Sequence, residues 1–188
     1  YTDLNWWDAI SRTGYRQEYN VNATGATEKF NVFASVGYLD EQGYMLQTDF
    51  ERFNGRVSAD YNPVSYFRMG VNMAASYSKS EAGSADPDEL GATTNPFLTD
   101  FYAPVQPYYA HGEDGEILYN ADGSHIWNTT GLNKGDNVAW MMRLNRSDWT
   151  NLNVNGSIYA TAILPYGFEA TVRGNMMRYK IGGIEYSN

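Results

Sequence analysis

Along much of the chain apolar and polar residues alternate one by one. From Tyr15 to Gly25, the residues Tyr15, Gln17, Tyr19, Val21 and Ala23 alternate with Arg16, Glu18, Asn20, Asn22 and Thr24. A period of two puts each set on its own face of a β-strand, whereas a helix would space its apolar residues three and four apart. The pattern recurs from Phe53 to Tyr61, from Phe67 to Ser78, from Leu152 to Leu164 and from Phe168 to Met176. With the run from Phe30 to Leu39, this predicts six strands.

Alternation by itself suits a soluble antiparallel sandwich as well as a membrane barrel. Three features favour the barrel. Several runs reach about 11 residues, which at about 3.4 Å per residue and a tilt near 45° span roughly 26 Å, the height of an outer-membrane apolar band. The polar faces carry Asn, Ser, Thr, Gly and mixed charges rather than a Lys- and Glu-rich solvent face. The connections also alternate in length. Gly25 to Glu28, Asn62 to Ser65 and Pro165 to Gly167 are tight, while Asp40 to Asp49 and Lys79 to Ser147 are long. Short turns at one end and long loops at the other characterise an up-and-down outer-membrane barrel.

Aromatic residues gather where such strands would meet the headgroups. Phe30, Tyr61, Tyr66, Phe67, Tyr166 and Phe168 lie beside the tight turns, and Tyr15, Tyr38, Phe50, Phe53, Tyr77, Trp149 and Tyr179 lie towards the long loops. The fold class is therefore read as all-β: an antiparallel up-and-down transmembrane β-barrel segment of about six long strands. Residues 1–14 form a lead-in, 15–78 the first four strands, 79–147 a long extracellular loop with a small hairpin, and 148–188 further strands.

Composition narrows the function. Among 188 residues there are 13 Lys and Arg against 22 Asp and Glu, a net charge of −9. That balance argues against nucleic acid, whose binding depends on clustered cations. No Cys is present, so disulfides play no part. No apolar run approaches the roughly 18 residues of a membrane helix. The chain starts at Tyr1 without an initiator Met or a signal peptide, so a piece of a longer protein is expected.

The long loop is rich in Gly, Pro, Asp and aromatics. Asp114-Gly115 and Asp122-Gly123 bracket Ile117, Leu118 and Tyr119, which predicts a hairpin. Asp114, Glu116, Asn120 and Asp122 offer calcium-type oxygen donors, but their spacing is not that of an EF-hand, and turn chemistry is preferred. His111 and His125 lack a Cys or Glu partner at ligand spacing, so no metal is assigned. Phe97, Phe101, Tyr102, Tyr108, Tyr109, Tyr119, Trp127 and Trp140 could present stacking faces to a ligand or pack within the loop. Nucleophile elbow, phosphate loop and zinc motif are all missing from the sequence, so no catalytic residue and no cofactor is assigned.

One stretch carries a family resemblance. The segment EKFNVFASVGYLDEQGYMLQTDFERFNGR, from Glu28 to Arg56, and the run TDLNWWDAISRTGYRQEYNVNATGATEK, from Thr2 to Lys29, resemble the SusC/RagA-like TonB-dependent transporters of the bacterial outer membrane. The resemblance covers at least positions 2 to 80, with a further similar stretch from Pro96 to Pro107. It implies a wall portion of a large, commonly 22-stranded barrel, with the plug and TonB-contacting region upstream. It also implies import of oligosaccharide or peptide fragments, often beneath a SusD-like lipoprotein lid, in contact with membrane lipid. On that reading Phe101, Tyr102, Tyr108, Tyr109, Tyr119 and Trp127 are the candidate contacts for substrate or lid. Two other classes compete: a secreted or surface-anchored β-sandwich binding carbohydrate through exposed aromatics, and a β-rich hydrolase using loop carboxylates. The sandwich would cover Val21, Val57, Val71, Val154 and Val172 with a second sheet; the barrel would turn them to lipid.

Overall fold

The computed structural model describes residues 4–83, 104–129, 137–144 and 146–186. Six strands, β1 (Tyr15–Ala26), β2 (Phe30–Gln42), β3 (Asp49–Val64), β4 (Phe67–Gly83), β5 (Arg146–Ile163) and β6 (Glu169–Tyr186), form one sheet. Its order is β1-β2-β3-β4-β5-β6, every neighbour antiparallel, with no crossover. This is the expected meander. Two short helices, α1 (Trp6–Ile10) and α2 (Val138–Leu144), were not foreseen in the sequence.

Register assigns the faces. The row Val21–Val36–Gly55–Ala75–Val154 and the row Ala23–Ala34–Val57–Met73–Gly156 run along one side of the sheet. No second layer covers that side among the described residues: Val21 is 71% exposed, Ile158 63% and Val172 77%. A sandwich would bury these side chains. A contiguous apolar face of this extent is unfavourable in water and suits lipid.

The other side is wet and cross-linked. The Tyr159 hydroxyl donates to the Asp60 carboxylate at 2.5 Å, and the Arg173 guanidinium lies 5.8 Å from the centre of the Tyr159 ring. Arg68 pairs with Glu169 at 2.7 Å, and Arg16 with Glu18 at 3.2 Å. The girdle expectation needs one correction from register. Tyr15, Tyr38, Phe53 and Tyr77 share the apolar face, but Phe50, Trp149 and Tyr179 stand on the wet face. Their proximity to a strand end did not fix which way they point.

The tight turns use local chemistry. Thr27 caps the β1–β2 turn, its hydroxyl accepting from the Phe30 amide at 3.0 Å. Pro165, Tyr166 and Gly167, the last two at φ +65° and +82°, form a three-residue β5–β6 turn closed by the Leu164 amide donating to the Phe168 carbonyl at 2.8 Å. At the opposite end the strands run past the predicted limits. Glu81, Arg146 and Asp148 form an ion-pair chain there, with Arg146 2.8 Å from each carboxylate.

Candidate functional site

The long connection folds back on itself in three arms. Residues 108–115, 116–123 and 124–131 read YYAHGEDG, EILYNADG and SHIWNTTG, an eight-residue repeat whose last two residues lie outside the described residues. The arms hydrogen-bond in a ring: Leu118 N–H to the Ala110 carbonyl at 2.9 Å, Ile126 N–H to Leu118 at 3.0 Å, and Ala110 N–H to Ile126 at 2.8 Å. Bridges join Tyr109 to Trp127, His111 to Ile117 and Tyr119 to His125. Ala110, Leu118 and Ile126 thus satisfy one another's backbone groups within the ring.

Each described turn follows from its Asp-Gly pair. Gly115 and Gly123 adopt φ +85° and +84°, a region costly for residues with a Cβ. The Asp122 carboxylate accepts from the Ser124 amide at 2.9 Å and the Ser124 hydroxyl at 2.7 Å, and these bonds hold its pKa below the ordinary carboxylate value. Asp114 accepts more weakly from the Glu116 amide at 3.3 Å. These carboxylates thus serve as turn acceptors. Among the described residues no three His, Cys, Asp or Glu are grouped for a metal.

The repeat stacks its rings. His125 lies between Tyr109, at 4.3 Å and 20°, and Tyr119, at 4.8 Å and 39°. Tyr109 continues to Trp127 at 4.8 Å, and the Arg143 guanidinium sits 5.1 Å from the Trp127 ring. The result is a ladder from Tyr119, 56% exposed, down to helix α2. The stack occupies both faces of His125, and Tyr119 is its exposed rung.

A small core anchors the ladder. Trp6 and Ile10 of α1 pack with Val138, Ala139 and Met142 of α2, and Met45, Leu46, Tyr108 and Trp127 close around them. Trp6 meets Tyr108 edge-on at 4.7 Å, and the Tyr108 hydroxyl donates to the Asn5 carbonyl at 2.6 Å. Burial, then the nearby Asp8 carboxylate, raises the Tyr108 pKa. Asn137, 1% exposed, ties repeat to helix. Its amide donates to the carbonyls of Tyr108 at 2.8 Å and Asn128 at 3.0 Å, while its oxygen accepts from the Trp140 amide at 3.2 Å. The lead-in, the β2–β3 connection and the long connection therefore converge at one end of the sheet.

Of the six residues singled out from the sequence, Tyr109, Tyr119 and Trp127 join the ladder, and Tyr108 joins its anchor. Phe101 and Tyr102 lie outside the described residues, as does Phe97. The two histidines play different parts: His125 is a rung, and His111 is hydrogen-bonded by Nδ1 to the Tyr109 carbonyl at 2.9 Å. Sequence reasoning missed His125, Arg143 and Asn137. The available signal was the recurrence at eight residues of His111, Tyr119 and Trp127 in step with the Asp-Gly turns.

No protein-family model matches the chain. It is 27% identical over 70 residues to the TonB-dependent receptor P39 of Formosa agariphila, covering 37% of this chain and 7% of that protein. Its fold matches a chain in a structure of the RagAB peptide transporter with a TM-score of 0.63 at 14% identity, covering 96% of this chain and 19% of that one. The chain thus spans a small part of the length of either relative. In sequence it is similar to a TonB-dependent receptor and in fold to a chain of the RagAB transporter, and its six-stranded meander has the fold of part of such a β-barrel wall.

Proposed function

We propose that this chain is the wall and part of the extracellular entrance of a TonB-dependent transporter that imports glycan or peptide fragments. The observation that carries the proposal is the ladder of Tyr119, His125, Tyr109 and Trp127, fixed to the end of the sheet where the long connections gather. An importer needs a rigid wall, a wet inner face and a selective mouth, and it needs no reactive side chain. The ladder would meet incoming substrate, a SusD-like lipoprotein lid, or both. Energy would come through TonB and a plug elsewhere in the full-length protein. The carbohydrate-binding sandwich is not favoured, because its second sheet has no counterpart among the described residues and the apolar face is exposed.

The test is deletion of residues 113–127 in the full-length protein. The six-strand ladder does not run through this segment, so the barrel should still assemble, while uptake or lid association weakens. Loss of the barrel would make the segment structural. Unchanged uptake and lid binding in a folded deletion would remove it from the mechanism.

A further inference from the structure

We infer that Tyr109 is a built-in, displaceable occupant of a ligand slot between His125 and Trp127. The slot takes one flat ring of the incoming substrate, a pyranose or an aromatic side chain. The inference rests on the functional reading above and gives the rungs of the ladder different parts. His125 and Trp127 stand two residues apart on the third arm, bridged to Tyr119 and Tyr109 respectively. At about 3.4 Å per residue, side chains two apart share a face roughly 6.8 Å from one another, which leaves room for one ring between them. Tyr109 fills that space from the first arm, its ring 4.3 Å from His125 and 4.8 Å from Trp127.

The walls of the slot are supported, and the occupant is not. His125 is backed by Tyr119 at 4.8 Å. Trp127 is held by the Arg143 guanidinium at 5.1 Å and by the small core of α1 and α2. The adjacent Tyr108 shows how a tyrosine is pinned in this unit, with its hydroxyl donating to the Asn5 carbonyl at 2.6 Å and its ring edge-on to Trp6. The Tyr109 hydroxyl has no hydrogen-bond partner among the described residues, so ring contacts alone hold that side chain in place.

Tyr109 also fits one wall better than the other. Its ring lies 20° from the plane of His125 but 50° from that of Trp127. A ring that is not tethered to the first arm is free to settle against both. Rotation of the Tyr109 side chain would empty the slot and leave the Ala110 N–H on the Ile126 carbonyl, so the backbone ring survives the exchange. Because the occupant has to leave first, the apparent affinity for substrate is reduced by the fraction of molecules whose slot is open.

The test measures binding of cellotetraose and of the peptide Gly-Trp-Gly to the full-length protein in nanodiscs by calorimetry; the probe that binds tells a pyranose from an aromatic side chain. Tyr109→Ala, which empties the slot, should bind that probe about tenfold more tightly than wild type, and Tyr109→Phe, which keeps an occupant, within about twofold of it. Adding His125→Ala to Tyr109→Ala removes a wall and should reverse the gain. Fluorotyrosine at position 109 of the otherwise unchanged protein reads the displacement without making a cavity: its fluorine resonance should move to a solvent-exposed position at saturating probe. The inference is overturned if Tyr109→Ala binds no more tightly than wild type, if neither probe binds that variant, or if the resonance stays in place at saturation. Weaker binding by Tyr109→Ala would make Tyr109 a direct contact and leave the functional reading standing. Uptake and lid binding that survive loss of residues 113–127 would remove that reading itself.

Discussion

Replacing Val71 by Arg probes the facing of the sheet most sharply. Val71 lies four residues along β4 from Phe67, about 10 Å above the tight turns at about 3.4 Å per residue and a 45° tilt. That is close to the middle of an apolar band about 25 Å tall. Its cross-strand neighbours Ala59 and Ile158 are apolar and offer the guanidinium no partner. An Arg there should cost about 2 to 4 kcal/mol of folding free energy in lipid, a factor of roughly 30 to 700 in the equilibrium. Asn72→Arg provides the control one residue away. Asn72 faces the wet side, lining a cavity of about 550 Å³ with Arg56, Asn155 and Ser157, and the change should cost less than about 1 kcal/mol. Denaturant titration of the full-length protein in vesicles reads both values. Equal costs at the two positions, or a larger cost at Asn72, would refute the assignment of the apolar face to lipid.

Asn137→Ala should leave the carbonyls of Tyr108 and Asn128 without their donor and α2 without its cap, loosening the aromatic unit by about 2 to 4 kcal/mol. Faster amide exchange at Ala110, Leu118 and Ile126 with an unchanged barrel would confirm it; unchanged exchange would contradict it. Asp122 has a folded pKa below its unfolded value, so its stabilisation of the turn is complete above the ordinary Asp range and is lost as pH falls through the lowered pKa. The protection factor of the Ser124 amide, its exchange rate relative to the intrinsic rate at each pH, should therefore fall on acidification in wild type, and show no such step in Asp122→Asn. Gly123→Ala forces a Cβ into φ +84° and should weaken the same turn by about 1 kcal/mol, seen as faster exchange at Asn120.

The wall was legible in the sequence because lipid and water impose a strict period of two. Val57 with Ser58, and Val71 with Asn72, fall on opposite faces as that period requires. The strand ends were less legible. Above the band both faces are polar, so Lys79, Glu81, Arg146 and Asp148 carry no alternation although they belong to β4 and β5. Helix α1 is five residues long and α2 seven, too short for a helical period to register. The site was legible as residue types and not as an arrangement. Tyr109, Tyr119 and Trp127 stood out as aromatics, but their stacking depends on an eight-residue repeat closed in a ring and on the buried amide of Asn137, a residue with no pattern around it.

The most direct test of a lipid-facing barrel wall is a nitroxide scan of β4 in the full-length protein reconstituted in bilayers. Single cysteine labels at positions 69 to 77 would be read for collision with oxygen, which concentrates in lipid, and with a water-soluble nickel complex. The expected result is a period of two: oxygen dominates at Met69, Val71, Met73, Ala75 and Tyr77, and nickel at Gly70, Asn72, Ala74 and Ser76. Uniform accessibility along the strand, or oxygen dominance at Asn72 and Ser76, would contradict it.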